Sequence, residues 1–160
     1  MPRSAREIDI DPRTYIGLSF PIRADNNNSF AMTKNSLEQS RHNLRNLLLT
    51  YPGERVGNSE FGCRLREVCF EQDDENLPTT ITKIVIDAVA KFLPYISILN
   101  VSTFTEENQK ETVYVTTSFS TTLDPTTNQS LTLNTSDGSE IDDEGSSTGG
   151  TGGTDKSGGY

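Results

Sequence analysis

The sequence predicts an α+β fold, with two long helices and one short helix, a small antiparallel sheet, an extended N-terminal arm and a low-complexity C-terminal tail. Two stretches, near residues 36–51 and 78–92, repeat their apolar residues close to every 3.6 positions, as a helix with one buried face requires. From Tyr95 the repeat falls to two, the period of a strand. Composition divides the chain into an arm (1–16), one α+β domain (17–134) and an acidic Gly/Ser/Thr-rich tail (135–160).

Taken in order, Asp9, Asp11 and Pro12 punctuate an arm without helical period, the kind of segment that docks on a neighbour. Leu18 to Ile22 and Phe30 to Met32 are short apolar patches joined by Asp25-Asn26-Asn27-Asn28, residues that tolerate left-handed backbone, and they predict a small hairpin. Leu37, Leu44, Leu47, Leu48 and Tyr51 mark a helix from Ser36 to Thr50. Asn35 and Glu38 have capping-box spacing at its start, and Pro52-Gly53 stops it. A polar loop over 53–62 leads to a short amphipathic helix containing Phe61, Leu65, Val68 and Cys69.

The second long helix begins at Pro78, suited to a first turn, and carries Ile81, Ile84, Val85, Ala88, Val89 and Phe92 as one stripe up to Leu93-Pro94. Beyond it Ile96, Ile98, Asn100, Ser102 and Phe104 are expected on one strand face. The run 112–122 sets Val113, Val115 and Thr117 against Tyr114, Ser118 and Ser120, completing an antiparallel hairpin. A third strand, Ser130 to Asn134, is Thr-rich and weakly apolar, which suits a sheet edge. Past Ser136 lie eight of the twelve glycines, a composition that buries too little apolar surface to offset its ordering entropy.

Charge and motif content exclude most chemistry. Of the net −9, the tail supplies −5, from six acids (Asp137, Glu140, Asp142, Asp143, Glu144, Asp155) against Lys156. An acidic chain is a poor nucleic-acid ligand. The mild exception is the set Arg41, Arg45, Arg55, Arg64 and Arg66; of these Arg41 and Arg45, four apart on one helix face, are read as pairing within the chain, with Glu38 and Glu54, ahead of a partner's acids. No apolar run is long enough for a membrane span, no leader-like segment opens the chain, and a cytoplasmic setting is the default. His42, the single histidine, falls mid-helix and reads as a solvated or packing residue rather than a base. Cys63 and Cys69, six positions apart in a helix-like stretch, read as buried thiols. Asp73-Asp74-Glu75 lacks calcium-loop spacing, no zinc or phosphate-loop pattern occurs, and no cofactor is implied.

Several segments together resemble a known family. They are Gly17-Leu18-Ser19-Phe20-Pro21, the helix end Asn43 to Thr50, then Pro52-Gly53-Glu54-Arg55 and Glu60-Phe61-Gly62-Cys63. In this order they resemble the gene-25-like, or phage protein W-like, baseplate wedge family, over residues 17–122. The resemblance implies a non-enzymatic virion protein of a contractile tail baseplate, assembled in the host cytoplasm. Its implied partners are other wedge proteins and the tail sheath subunit, with no nucleic acid or membrane.

The family's Glu-Pro-Arg motif after the last long helix falls on Leu93, Pro94 and Tyr95, so only the proline matches and the scaffold contact must differ. The interface candidates are Gly53, Glu54, Arg55, Phe61, Gly62, Leu93, Pro94 and Tyr95, with Val113, Val115 and Leu131 in strands open to strand addition. Some relatives are labelled lysozyme-like, and Glu54 with Glu60 would be the carboxylate pair. Arg55 beside Glu54 favours its charged form and opposes a general-acid role. A regulatory protein-binding module of the same fold, like a bacterial anti-adaptor, is the alternative reading.

Overall fold

The computed structural model describes residues 11, 13–20, 22–25, 29–69, 76–106, 109–135 and 140–141. A two-stranded ribbon, β1 (Gly17–Leu18) with β2 (Met32–Thr33), precedes helices α1 (Ser36–Leu49), α2 (Leu65–Cys69) and α3 (Leu77–Phe92). A second sheet follows, built from β3 (Ile96–Glu106), β4 (Gln109–Thr121), β5 (Gln129–Asn134) and β6 (Glu140–Ile141). Its strands lie in sequence order and every neighbouring pair is antiparallel. The α+β expectation therefore holds, with three helices among the described residues.

Helix α1 starts where Asn35, in extended backbone, accepts the Leu37 N–H on its side chain at 2.8 Å. That is half of the expected capping box. The Glu38 carboxylate lies instead 3.9 Å from His42 one turn on. The helix ends at Thr50, whose N–H and hydroxyl both reach the Asn46 carbonyl, at 3.1 and 2.6 Å. Leu37, Leu44, Leu47 and Leu48 are buried, and Ile81, Val85 and Val89 of α3 face them. Phe61 and Cys63 lie in the loop ahead of α2 rather than within that helix. Cys63 is buried, while the Cys69 side chain, like Asp73-Asp74-Glu75, lies outside the described set.

Both long helices cover one face of the larger sheet, with α3 on β3 and α1 on β5. Val113, Val115, Phe119, Leu131 and Leu133 point into that layer and are at most 7% exposed.

Three expectations about the sheet are corrected. The register between β3 and β4 shifts between Ile98 and Asn100, so the period-two alternation slips by one residue at Leu99. Ile96, Ile98, Val101 and Thr103 turn toward the helices, whereas Asn100, Ser102 and Phe104 face outward, where Phe104 stacks on Tyr114 at 4.9 Å. Second, β5 is not the edge, because β6 pairs with it at Thr132↔Ile141 and Leu133↔Glu140. Third, the sheet thus reaches past residue 134 into the acidic segment. Apart from Thr135 and β6, the tail lies outside the described residues, as do residues 1–10 of the arm.

The ribbon is tied to the rest by polar side chains in series. Thr33 meets Gln39, Gln39 donates to Asn43 at 2.9 Å, and Asn43 donates to the Tyr95 hydroxyl at 2.8 Å. Ribbon, helix and sheet are linked by these contacts.

Candidate protein interface

The loop between α1 and α2 is a built structure. Pro52-Gly53 turns the chain with Gly53 at φ +100°, and the Gly53 N–H bonds to Ser59 across the loop at 2.8 Å. Glu54 folds back to accept the Tyr51 N–H at 3.0 Å and lies 3.9 Å from Arg66. The Arg55 guanidinium sits 4.1 Å from the centre of the Phe61 ring, which packs against Phe92 at 5.2 Å. Gly62 is at φ +135°, where a Cβ would stand 2.5 Å from the Thr50 carbonyl oxygen, while the next N–H, of Cys63, bonds that same oxygen at 2.8 Å. Five candidates (Gly53, Glu54, Arg55, Phe61 and Gly62) are thereby brought together in one loop. Each has a conformational task that explains its residue type.

Leu93, Pro94 and Tyr95 form the corner between α3 and the sheet. Leu93 caps the helix and is 7% exposed, its N–H bonding Val89 and its carbonyl accepting the Ile96 N–H. Tyr95 accepts from Asn43 through its hydroxyl and from Thr122 N–H through its carbonyl. Only Pro94 of the three is exposed. A pocket of about 220 Å³ lies beside this corner, between Ile16, Gln39, Asn43, Tyr95 and Leu123.

Val113 and Val115 lie on the inward face of β4, and Leu131 on that of β5; all three are buried. β4 is paired on both sides, by β3 and β5, so its main chain has no side left for a further strand. Among the described residues the sheet ends in β3 on one side and in the two-residue β6 on the other, so β3 is its long unpaired edge. Natural edges are usually blunted by lysine, proline or bulges; β3 has neither lysine nor proline, and its register with β4 shifts at Leu99 and again between Thr105 and Glu106. From Asn100 to Thr105 nothing of that kind protects it.

A second exposed surface was missed as a site by the sequence reading. Around the ribbon, Tyr15, Leu18, Ile22, Phe30 and Met32 are 46–65% exposed, and Tyr15, Phe30 and Met32 line a groove of about 440 Å³. The signal was present in apolar residues on both faces of a two-stranded ribbon, which can bury at most one.

Arg45 lies over the Phe20 ring at 5.5 Å and reaches the Phe20 carbonyl at 3.5 Å, contacts within the chain. His42 is 15% exposed and packs on α1.

The acids are arranged against hydrolysis. Glu60 is held by Lys91 at 2.9 Å, and this hydrogen bond keeps its carboxyl below the usual range. A general acid needs the opposite shift, and Glu60 is 75% exposed. Asp124 is likewise lowered, by the Thr127 and Thr126 hydroxyls, and the Tyr51 phenol is raised by its bond to Glu67. Among the described residues no group of three His, Cys, Asp or Glu side chains is placed to hold a metal, and no helix is long and apolar enough to cross a membrane.

Comparison with known proteins agrees with this geometry. The fold matches that of a Geobacter sulfurreducens protein named "putative tail lysozyme", at 22% identity and TM-score 0.57, over 64% of this chain and 91% of that one. It also matches a chain of the anti-feeding prophage baseplate, at 17% identity and TM-score 0.53, over 73% of this chain and 81% of that one. No curated protein sequence matches. A model of the family described as Baseplate wedge protein gp25 matches residues 35–126, more than half of the 160-residue chain. The chain belongs to the gp25 baseplate wedge family.

Proposed function

We propose that this protein is a wedge subunit of a contractile tail baseplate that anchors the first sheath ring by strand pairing along β3. The observation that carries the reading is an open, unguarded sheet edge on a member of a baseplate wedge family. An extended arm of a sheath subunit laid along Asn100–Thr105 would gain affinity from main-chain hydrogen bonds and register from the alternating side chains. Outward-facing Asn100 and Ser102 keep that edge soluble before the arm arrives.

The apolar ribbon surface around Phe30 and Ile22 is the face we assign to the larger wedge proteins, since a patch of that kind marks a protein contact. The corner at Leu93, Pro94 and Tyr95 fixes the angle between helices and sheet, and so between these two surfaces. The protein has no hydrolytic task in this scheme, because its best-placed carboxylate is ion-paired and exposed.

Deleting the gene during particle production, with tails imaged by negative-stain electron microscopy, tests the reading. Tubes lacking an anchored sheath, or particles lacking baseplates, are expected. Intact contractile particles would overturn it and favour a regulatory binding module.

A further inference from the structure

A sheet has two edges, and this one treats them differently. Among the described residues the eleven-residue β3 has no strand on its outer side, while β5, toward the opposite edge, carries the two-residue strand β6 at Thr132 and Leu133. β6 comes from outside the 35–126 stretch that defines the family and from within the acidic, glycine-rich end of the chain. It contacts β5 at Thr132 and Leu133, the middle of a six-residue strand. So short a strand adds little core. What it does is occupy the β5 main chain where a longer strand would otherwise pair.

We propose that β6 is an edge guard that prevents copies of this protein from adding to one another through their sheets. The occupant it excludes is the β3 strand of a second copy. β3 and β5 belong to one twisted sheet, and β3 is the longer, so it can cover the whole of β5. Pairing β3 of one copy with β5 of the next is a head-to-tail contact between different surfaces, and such a contact repeats without closing. With β6 on β5 at Thr132 and Leu133, each chain offers one long edge, β3, and on the other side only the two-residue β6, too short to hold another strand, so strand pairing stops at a dimer. With β5 uncovered, each chain offers two and pairing continues.

The proposal does not depend on the baseplate reading, since it concerns the purified protein alone. The test is the mass distribution, by sedimentation velocity over a concentration series, of the full chain carrying Glu140→Pro and Ile141→Pro, which removes two ladder donors. The unsubstituted protein is expected at or below twice the chain mass. The variant, with its far-UV circular dichroism retained, is expected to form species beyond that mass which grow with concentration. Adding Asn100→Lys and Ser102→Lys to the same variant should return it to a dimer or smaller, because the lysines block β3. A chain ending at Thr135 is the second form of the test, decisive should the proline variant lose its folded signal, and the same growth is expected of it. A guardless protein no larger than the unsubstituted one, growth that the β3 lysines leave unchanged, or open-ended growth of the unsubstituted protein would each overturn the proposal.

Discussion

Two glycines in the loop after α1 differ in what a side chain would meet, and that difference is measurable. At Gly62 a Cβ collides with the Thr50 carbonyl and adds strain from a φ of +135°, whereas at Gly53 the space is open and only the φ of +100° resists. Gly62→Ala should destabilise the fold by about 3 kcal/mol and Gly53→Ala by about 1 kcal/mol, in urea unfolding. Equal effects would show that Gly62 has no close-approach task. The glycine and its neighbours Pro52 and Phe61 were readable as a motif, but the role of each was not. Their spacing is local, while the collision partner lies twelve positions earlier in the chain.

The ion pair between Glu60 and Lys91 gives a second residue-level expectation. A carboxylate whose folded value is depressed contributes stability above its unfolded value, near 4.3, and loses it as pH falls through the lower folded value. Glu60 is largely exposed, so the consequence for stability is small. The titration itself should be visible. In a carboxyl NMR titration the Glu60 midpoint should fall below the usual range and move up toward it in Lys91→Ala. An unchanged midpoint would remove the hydrogen bond as its cause. For a glycosidase reading the sign matters more than the size, because a proton donor at neutral pH requires a raised value.

At the level of elements, both long helices were legible because each carries its own signal: an apolar stripe, a cap at Asn35 or a first-turn proline at Pro78. The hairpin of β3 and β4 was legible for the same reason, with period two on both sides of a polar turn. The slip at Leu99 was not, since Ile96 and Ile98 continue naturally into Asn100 by count and only the register with β4 reveals the extra residue. β6 was hidden for a different reason. Ile141 is the one apolar residue amid acids, glycine and serine, and its partner strand is set by pairing over distance rather than by local composition. Missing β6 made β5 look like an edge open to strand addition at Leu131.

The core position of Leu131 sets its own prediction. Leu131→Ala leaves a void under the helices and should cost roughly 2–5 kcal/mol in chemical denaturation. A cost below about 1 kcal/mol, the range of a typical exposed substitution, would contradict the burial. Tyr95→Phe removes the hydroxyl that holds Asn43 and should cost about 1 kcal/mol, with Asn43→Ala adding little more in the same background. Full additivity of the two would deny the link between helix and sheet.

For the whole molecule, two surfaces border one layer of helices on sheet. The apolar ribbon lies at one, and the open β3 edge at the other, with Tyr95 and Asn43 joining the elements that bear them. Family membership was legible in the sequence through Pro52-Gly53-Glu54-Arg55 and Phe61-Gly62, and these same residues prove to shape the loop that connects the helices. Which strand is the edge was legible only in three dimensions.

The central claim is that β3 seats the sheath, and it is tested most directly by complementing a gene deletion with Asn100→Lys and Ser102→Lys in the full chain. Both side chains face outward, so folding and incorporation into the baseplate should be retained while strand addition is blocked. Electron microscopy of the complemented particles should show baseplates and tubes without sheath. Fully sheathed, contractile tails carrying this variant would contradict the account.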